Sequence, residues 1–144
     1  MSCEVFEDAM NPDGNKGDFP TEIFPDLIES STRIVFYIPT EFTSVISAYL
    51  LIIPDATGNI RWSATTTWGE ICNNEDYDTH TDSIAETTTG VTIDKIECLD
   101  ISAALTGLAA NDLVGLEFIR HADDILDTIG DSVHFIGVII TICS

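Results

Sequence analysis

A chain of 144 residues fits one domain and is long enough to bury about two thirds of the surface its unfolded form exposes. Twenty-five acidic residues against five basic ones give a formal charge of −20, a field that repels nucleic acid and anionic membranes and excludes both as partners. Twenty Ile and seventeen Thr weight the composition toward β-branched side chains, which fit a pleated sheet better than a helix.

In chain order, residues 1–31 carry Asn11-Pro12-Asp13-Gly14, Pro20 and Pro25 and keep no sustained period, which predicts an extended N-terminal arm. An arm of that composition frays unless it docks on its own domain or on a neighbour. From Thr32 onward, the patterning predicts strands over 33–38, 45–53, 60–68, 91–98, 113–120 and 133–142, with 81–88 a weaker seventh. The clearest is 60–68, where Ile60, Trp62, Ala64, Thr66 and Trp68 share one face and Arg61, Ser63, Thr65 and Thr67 the other. Trp62 and Trp68 are therefore expected in the core. Exposed, the same pair would stack sugar rings, which makes a carbohydrate- or cell-surface-binding module the alternative function.

Segments 45–53 and 133–142 are apolar on both faces, which suits a strand covered twice. In the last strand Ile136, Val138, Ile140 and Ile142 form one apolar face and are the candidate subunit interface, because a long bare apolar edge aggregates. Ile101, Leu105 and Leu108 fall at helical spacing and predict one short helix over 101–110. The sum is an all-β, two-sheet β-sandwich of jelly-roll-like topology, with an arm over 1–31 and the sandwich over 32–144.

His80, His121 and His134 are not accompanied by a nucleophile elbow or a catalytic-Cys signature, so no catalytic residue is assigned and the chain reads as a non-enzyme. The segment from Asn73 to Asp82 concentrates oxygen ligands of the type Ca²⁺ takes, with Asp76, Asp78 and Asp82 the candidate ligands. It lacks the order of an EF-hand loop, so a hydrated acidic loop is the first reading, and no cofactor is expected. Arg120, followed by Asp123, Asp124, Asp127 and Asp131, is expected to form a salt bridge that fixes this loop.

Cys3, Cys72, Cys98 and Cys143 are far apart, with no metal-binding spacing, and read as buried thiols; an even count permits two disulfides in any of three pairings. The acidic start has no apolar core of a secretory signal, which points to a reducing site of synthesis. The longest apolar run, 133–142, is too short to cross a bilayer as a helix.

Phe36-Tyr37-Ile38-Pro39, Thr57 to Trp62, Asn111 to Val114, Leu116 to Arg120, Asp127 to Asp131 and Val133 to Ile140 together resemble accessory virion proteins of tailed phages and related viruses. Those are small jelly-roll-like domains on capsids or tail appendages. The resemblance implies a structural role at the virion surface as a homo-oligomer, often a trimer, held on a viral shell or appendage protein, without a cofactor. The four Cys and the acidic loop at 73–82 depart from that pattern.

Overall fold

The computed structural model describes residues 2–143. Ten strands follow one another: β1 (Ser2–Asp8), β2 (Gly14–Lys16), β3 (Phe19–Phe24), β4 (Glu29–Tyr37), β5 (Ser44–Pro54), β6 (Gly58–Glu70), β7 (His80–Val91), β8 (Glu97–Asp100), β9 (Asp112–His121) and β10 (Val133–Cys143). One sheet runs β2-β3-β10-β5-β8, with β1 also on β10, and the other runs β4-β9-β6-β7. Strands β3 to β6 pair antiparallel with β10 to β7 in reverse order, β3 with β10, β4 with β9, β5 with β8 and β6 with β7. A long hairpin folded back over itself in this way is a jelly roll.

The inner faces follow from period-2 alternation. On β4 Thr32, Ile34 and Phe36 point inward, on β9 Val114, Leu116 and Phe118, and on β6 all five residues of the expected face are buried. Phe24, Phe118 and Phe135 meet across the two sheets with ring centroids 5.4–6.3 Å apart, which places the centre of the core at that end of the sandwich.

The expected arm docks on its own domain. β1 pairs with β10 from Ser2↔Cys143 to Asp8↔Gly137, and β3 pairs with the start of the same strand, from Val133↔Phe24 to Phe135↔Glu22. β3 is one of the eight strands of the roll, and β4 begins at Glu29, so the sandwich starts well before Thr32. The missing periodicity of 1–31 has a physical cause: its strands are short, and Pro20 lies in the stretch of β3 that pairs with β2 alone, before the residues that pair with β10, where a proline is tolerated.

The double apolarity of 133–142 has a local cause. Phe135 faces Ile52 and Gly137 faces Leu51, so Ile136 is an extra residue that reverses the inside and outside of the strand. Val133 and Phe135 point inward before this bulge, and Val138, Ile140 and Ile142 point inward after it. The bulge also marks where β1 hands over to β3, with Ala9 N donating to Ile136 O at 2.8 Å. The interface expected at Ile136, Val138, Ile140 and Ile142 is corrected accordingly: three of the four belong to the chain's own core, and Ile136 is 7% exposed.

Gly137 permits the close approach of β1, since a Cβ there would lie 2.3 Å from Glu7 O and 2.9 Å from Asp8 Cα. Gly137→Ala is expected to cost about 1–3 kcal/mol through this overpacking and to lift β1 from the sheet. Limited proteolysis should then cut within 2–13 while the rest of the sandwich stays resistant. A variant as resistant there as the parent would refute the role given to this glycine.

The helix over 101–110 is replaced by a single 3₁₀ turn, η1 (Ser102–Ala104). Local side-chain bonds compete with helix propagation: Asp100 accepts from both Ser102 N and Ser102 Oγ, and Asp82 accepts from Thr106 N and the Thr106 hydroxyl. Gly107 then takes φ +87° and ends any continuation, while Ile101, Ala104 and Leu105 are buried as an irregular plug. The strand expected over 91–98 is likewise two pieces, since Asp94 adopts φ 62° in a turn between β7 and β8. In contrast the weak strand at 81–88 extends to the twelve residues of β7.

Candidate functional site

His134 is the centre of a polar chain at one end of the first sheet. Its Nδ1 lies 2.8 Å from Thr21 Oγ1 on β3, its Nε2 lies 2.9 Å from Asp55 Oδ2, and Asp55 Oδ1 accepts from Lys16 Nζ on β2 at 2.7 Å. Burial by itself would raise the Asp55 carboxyl, but the hydrogen bonds from Lys16 and His134 outweigh it and hold the group below the usual carboxylate range. A hydroxyl, an imidazole and a carboxylate in sequence have the outline of a catalytic relay. Thr21 is fully buried, however, so no substrate reaches its hydroxyl unless β3 lifts from β10. The chain's effect is to tie β2 and β3 to β5 and β10.

Arg120, on the inward face of β9, is completely buried. Its Nε and Nη2 donate to the two carboxylate oxygens of Asp127 at 3.1 and 2.9 Å, Nη1 to Phe24 O and Asp131 O at 2.9 and 3.0 Å, and Nη2 to Ile129 O at 3.0 Å. The expected salt bridge is thus formed with Asp127, and the same guanidinium fixes the end of β3 as well as the loop 122–132.

Trp62 and Trp68 are both buried, so neither indole is available to stack a sugar ring. Asp76 and Asp78 lie exposed in the loop before β7, while the Asp82 carboxylate on β7 is engaged by Thr106 and Ser83. The Thr106 hydroxyl is the main cause of the Asp82 carboxyl titrating below its ordinary value. The three expected Ca²⁺ ligands are therefore not brought together. Among the described residues, the group of three ligating side chains whose atoms lie within 4.8 Å of one another is Glu29, His121 and Asp123. Cys72 and Cys98 are exposed rather than buried, Cys143 is half-buried, and the Cys3 side chain lies outside the described residues.

What sequence reasoning missed is the outer face of the first sheet. Phe6 on β1, Phe19 and Pro20 on β3, Leu51 on β5, Ile136 on β10 and Ile96 before β8 line an apolar depression of about 270 Å³, edged by Asp8. Phe6, Phe19 and Ile96 are each about half exposed, at 51, 46 and 53%. Beside it, β10 places Ile139 between Phe6 and Tyr49. Contributions from five distant segments leave no local motif, and only Ile136 of this patch stood among the expected interface residues.

No protein-family profile matches the chain, and no curated protein matches it in sequence. Its fold is similar to that of a chain in the structure of infectious bursal disease virus, Gx strain, with a TM-score of 0.50 and 12% identity. That likeness covers 98% of this chain and 32% of the viral one, so the chain spans about a third of the length of its structural neighbour. Tobacco streak virus coat protein also matches, with a TM-score of 0.38, 11% identity and coverage of 99% of this chain and 86% of that one.

Proposed function

We propose that the chain is a structural virion component, a capsid decoration or appendage protein at the particle surface. In this reading it assembles as a homo-oligomer, most simply a trimer, on a viral shell or appendage protein. The observation that carries the reading is the depression formed by Phe6, Phe19, Leu51, Ile96 and Ile136 on the outside of a jelly roll. A contiguous apolar patch on a protein with a charge of −20 is a surface that gains by being covered. The jelly roll shared with a chain of a virus particle supports the same reading.

Charge opposes self-association, since copies carrying −20 each repel one another, so the contact is expected to strengthen as salt screens that repulsion. Sedimentation in moderate salt should give an oligomer at micromolar concentration, and a double variant, Phe6→Asp with Ile96→Asp, should sediment as a folded monomer. A monomeric parent, or a double variant that still assembles, would reject this surface as the contact. Ile140→Asp is no test, because Ile140 lies in the core and its replacement unfolds the chain.

A further inference from the structure

The outward face of the second sheet carries a histidine surrounded by carboxylates that the structural role leaves unexplained. His121, the last residue of β9, stands directly opposite Glu29, the first of β4. Its Nδ1 lies 2.9 Å from Glu29 Oε1 and 3.5 Å from Glu86 Oε1 of β7, and Glu29, His121 and Asp123, two residues further on, form a group whose ligating atoms lie within 4.8 Å of one another. The imidazole is held from its other side, where Nε2 lies 2.8 Å from Ser63 Oγ on β6. Its side chain is 13% exposed, whereas Glu29 and Glu86 are about half exposed, so the site opens outward.

We propose that Glu29, His121 and Asp123, joined by Glu86, bind one divalent transition-metal ion of the zinc class. The arrangement has three features of such a site. Bonds of about 2.0–2.1 Å in a tetrahedral centre place neighbouring ligand atoms about 3.3 Å apart, and the distances of 2.9 and 3.5 Å from Nδ1 straddle that value. A ligating imidazole ordinarily has its second nitrogen hydrogen-bonded to a neighbour that fixes the ring, which is the position of Ser63. One nitrogen also faces more negative charge than it can satisfy: a single N–H on Nδ1 serves one carboxylate, while both Glu29 and Glu86 lie within 3.5 Å of it.

Arg61 and Asp124 face each other, and Arg61 also reaches Thr88. Arg61 Nε lies 3.9 Å from Asp124 Oδ2, and its Nη1 donates to Thr88 at 3.1 Å. Mixed imidazole and carboxylate ligands select zinc over calcium or magnesium, which prefer sites made wholly of oxygen. A bound ion would join β4, β9 and β7, three of the four strands of this sheet, and neutralise part of the repulsion within it.

The test uses the full chain, stripped with a chelator and titrated with Zn²⁺, Mn²⁺, Ca²⁺ or Mg²⁺ by calorimetry, with the melting temperature followed in parallel. One equivalent of Zn²⁺ should bind more tightly than Ca²⁺ or Mg²⁺ and raise the melting temperature. Asp123→Asn, an exposed loop substitution that leaves the sheet intact, should weaken Zn²⁺ binding about tenfold or more, and His121→Gln should abolish it. X-ray absorption of the zinc complex should show nitrogen and oxygen ligands only. Sulfur in the coordination shell, affinity unchanged by both variants, or no stoichiometric binding at all would overturn the proposal and leave His121 in an ordinary hydrogen bond with Glu29.

Discussion

Replacing Arg120 by methionine is expected to destabilise the protein by about 3–5 kcal/mol, the cost of removing one partner of a buried ion pair. The guanidinium is fully buried, and its removal strands the Asp127 carboxylate, whose side chain is 0% exposed, together with the carbonyls of Phe24, Ile129 and Asp131. Two backbone amides, Arg61 N and Ile129 N, still reach Asp127, so the charge keeps some stabilisation and the estimate sits within that range rather than above it. Urea unfolding followed by circular dichroism measures the effect. Arg120→Lys should recover only part of the loss, because an ammonium cannot reproduce the fork that meets both Asp127 oxygens while reaching three carbonyls. The double variant Arg120→Met with Asp127→Leu should lose less than the two single variants summed, since no carboxylate is left stranded. A loss under about 1 kcal/mol for Arg120→Met would mean that water reaches this end of the roll.

The legibility of Arg120 and the illegibility of His121, its neighbour, come from the same property of sequences. The four carboxylates and lone cation around 120–131 sit within one loop's reach, so local spacing alone suggested the pair. Glu29 lies 92 residues from His121, and only the pairing of β4 with β9 joins them. Alternation read β6 correctly because one of its faces meets the core and the other meets water. It failed for β10, where the bulge at Ile136 spreads one inner face over both parities and mimics a strand buried twice. At 101–110 helical spacing was present, but Asp100 and Asp82 supplied hydrogen bonds that stopped the helix at one turn, a competition that spacing does not register. The apolar depression was invisible because Phe6 and Phe19 belong to a segment with no period of its own, and they gain a common surface only through their shared partner, β10.

Trp62→Ala is expected to cost about 3–5 kcal/mol, as for other large aromatic side chains deleted from a core. The indole is 3% exposed, meets Phe118 edge-on at 6.2 Å, and borders the phenylalanine cluster that joins the two sheets. Neighbouring side chains belong to opposite sheets held apart by their own hydrogen-bonded strands, so they cannot collapse fully into the space left behind, and the cavity term adds to the lost burial. Phenylalanine substitutions separate packing from hydrogen bonding. Trp62 Nε1 donates to Thr89 Oγ1 at 3.0 Å, whereas Trp68 Nε1 is buried with no hydrogen-bond partner among the described residues. Trp62→Phe therefore loses a bond worth about 1 kcal/mol in addition to volume, while Trp68→Phe loses volume but removes a donor that has nothing to donate to. Of the two, Trp62→Phe should melt at the lower temperature, and Trp62→Ala lower still. Equal melting of the two phenylalanine variants would assign no net stability to the Trp62–Thr89 bond. A Trp62→Ala protein that melts with its parent would place the indole outside the core and reopen the outer role that its burial removes.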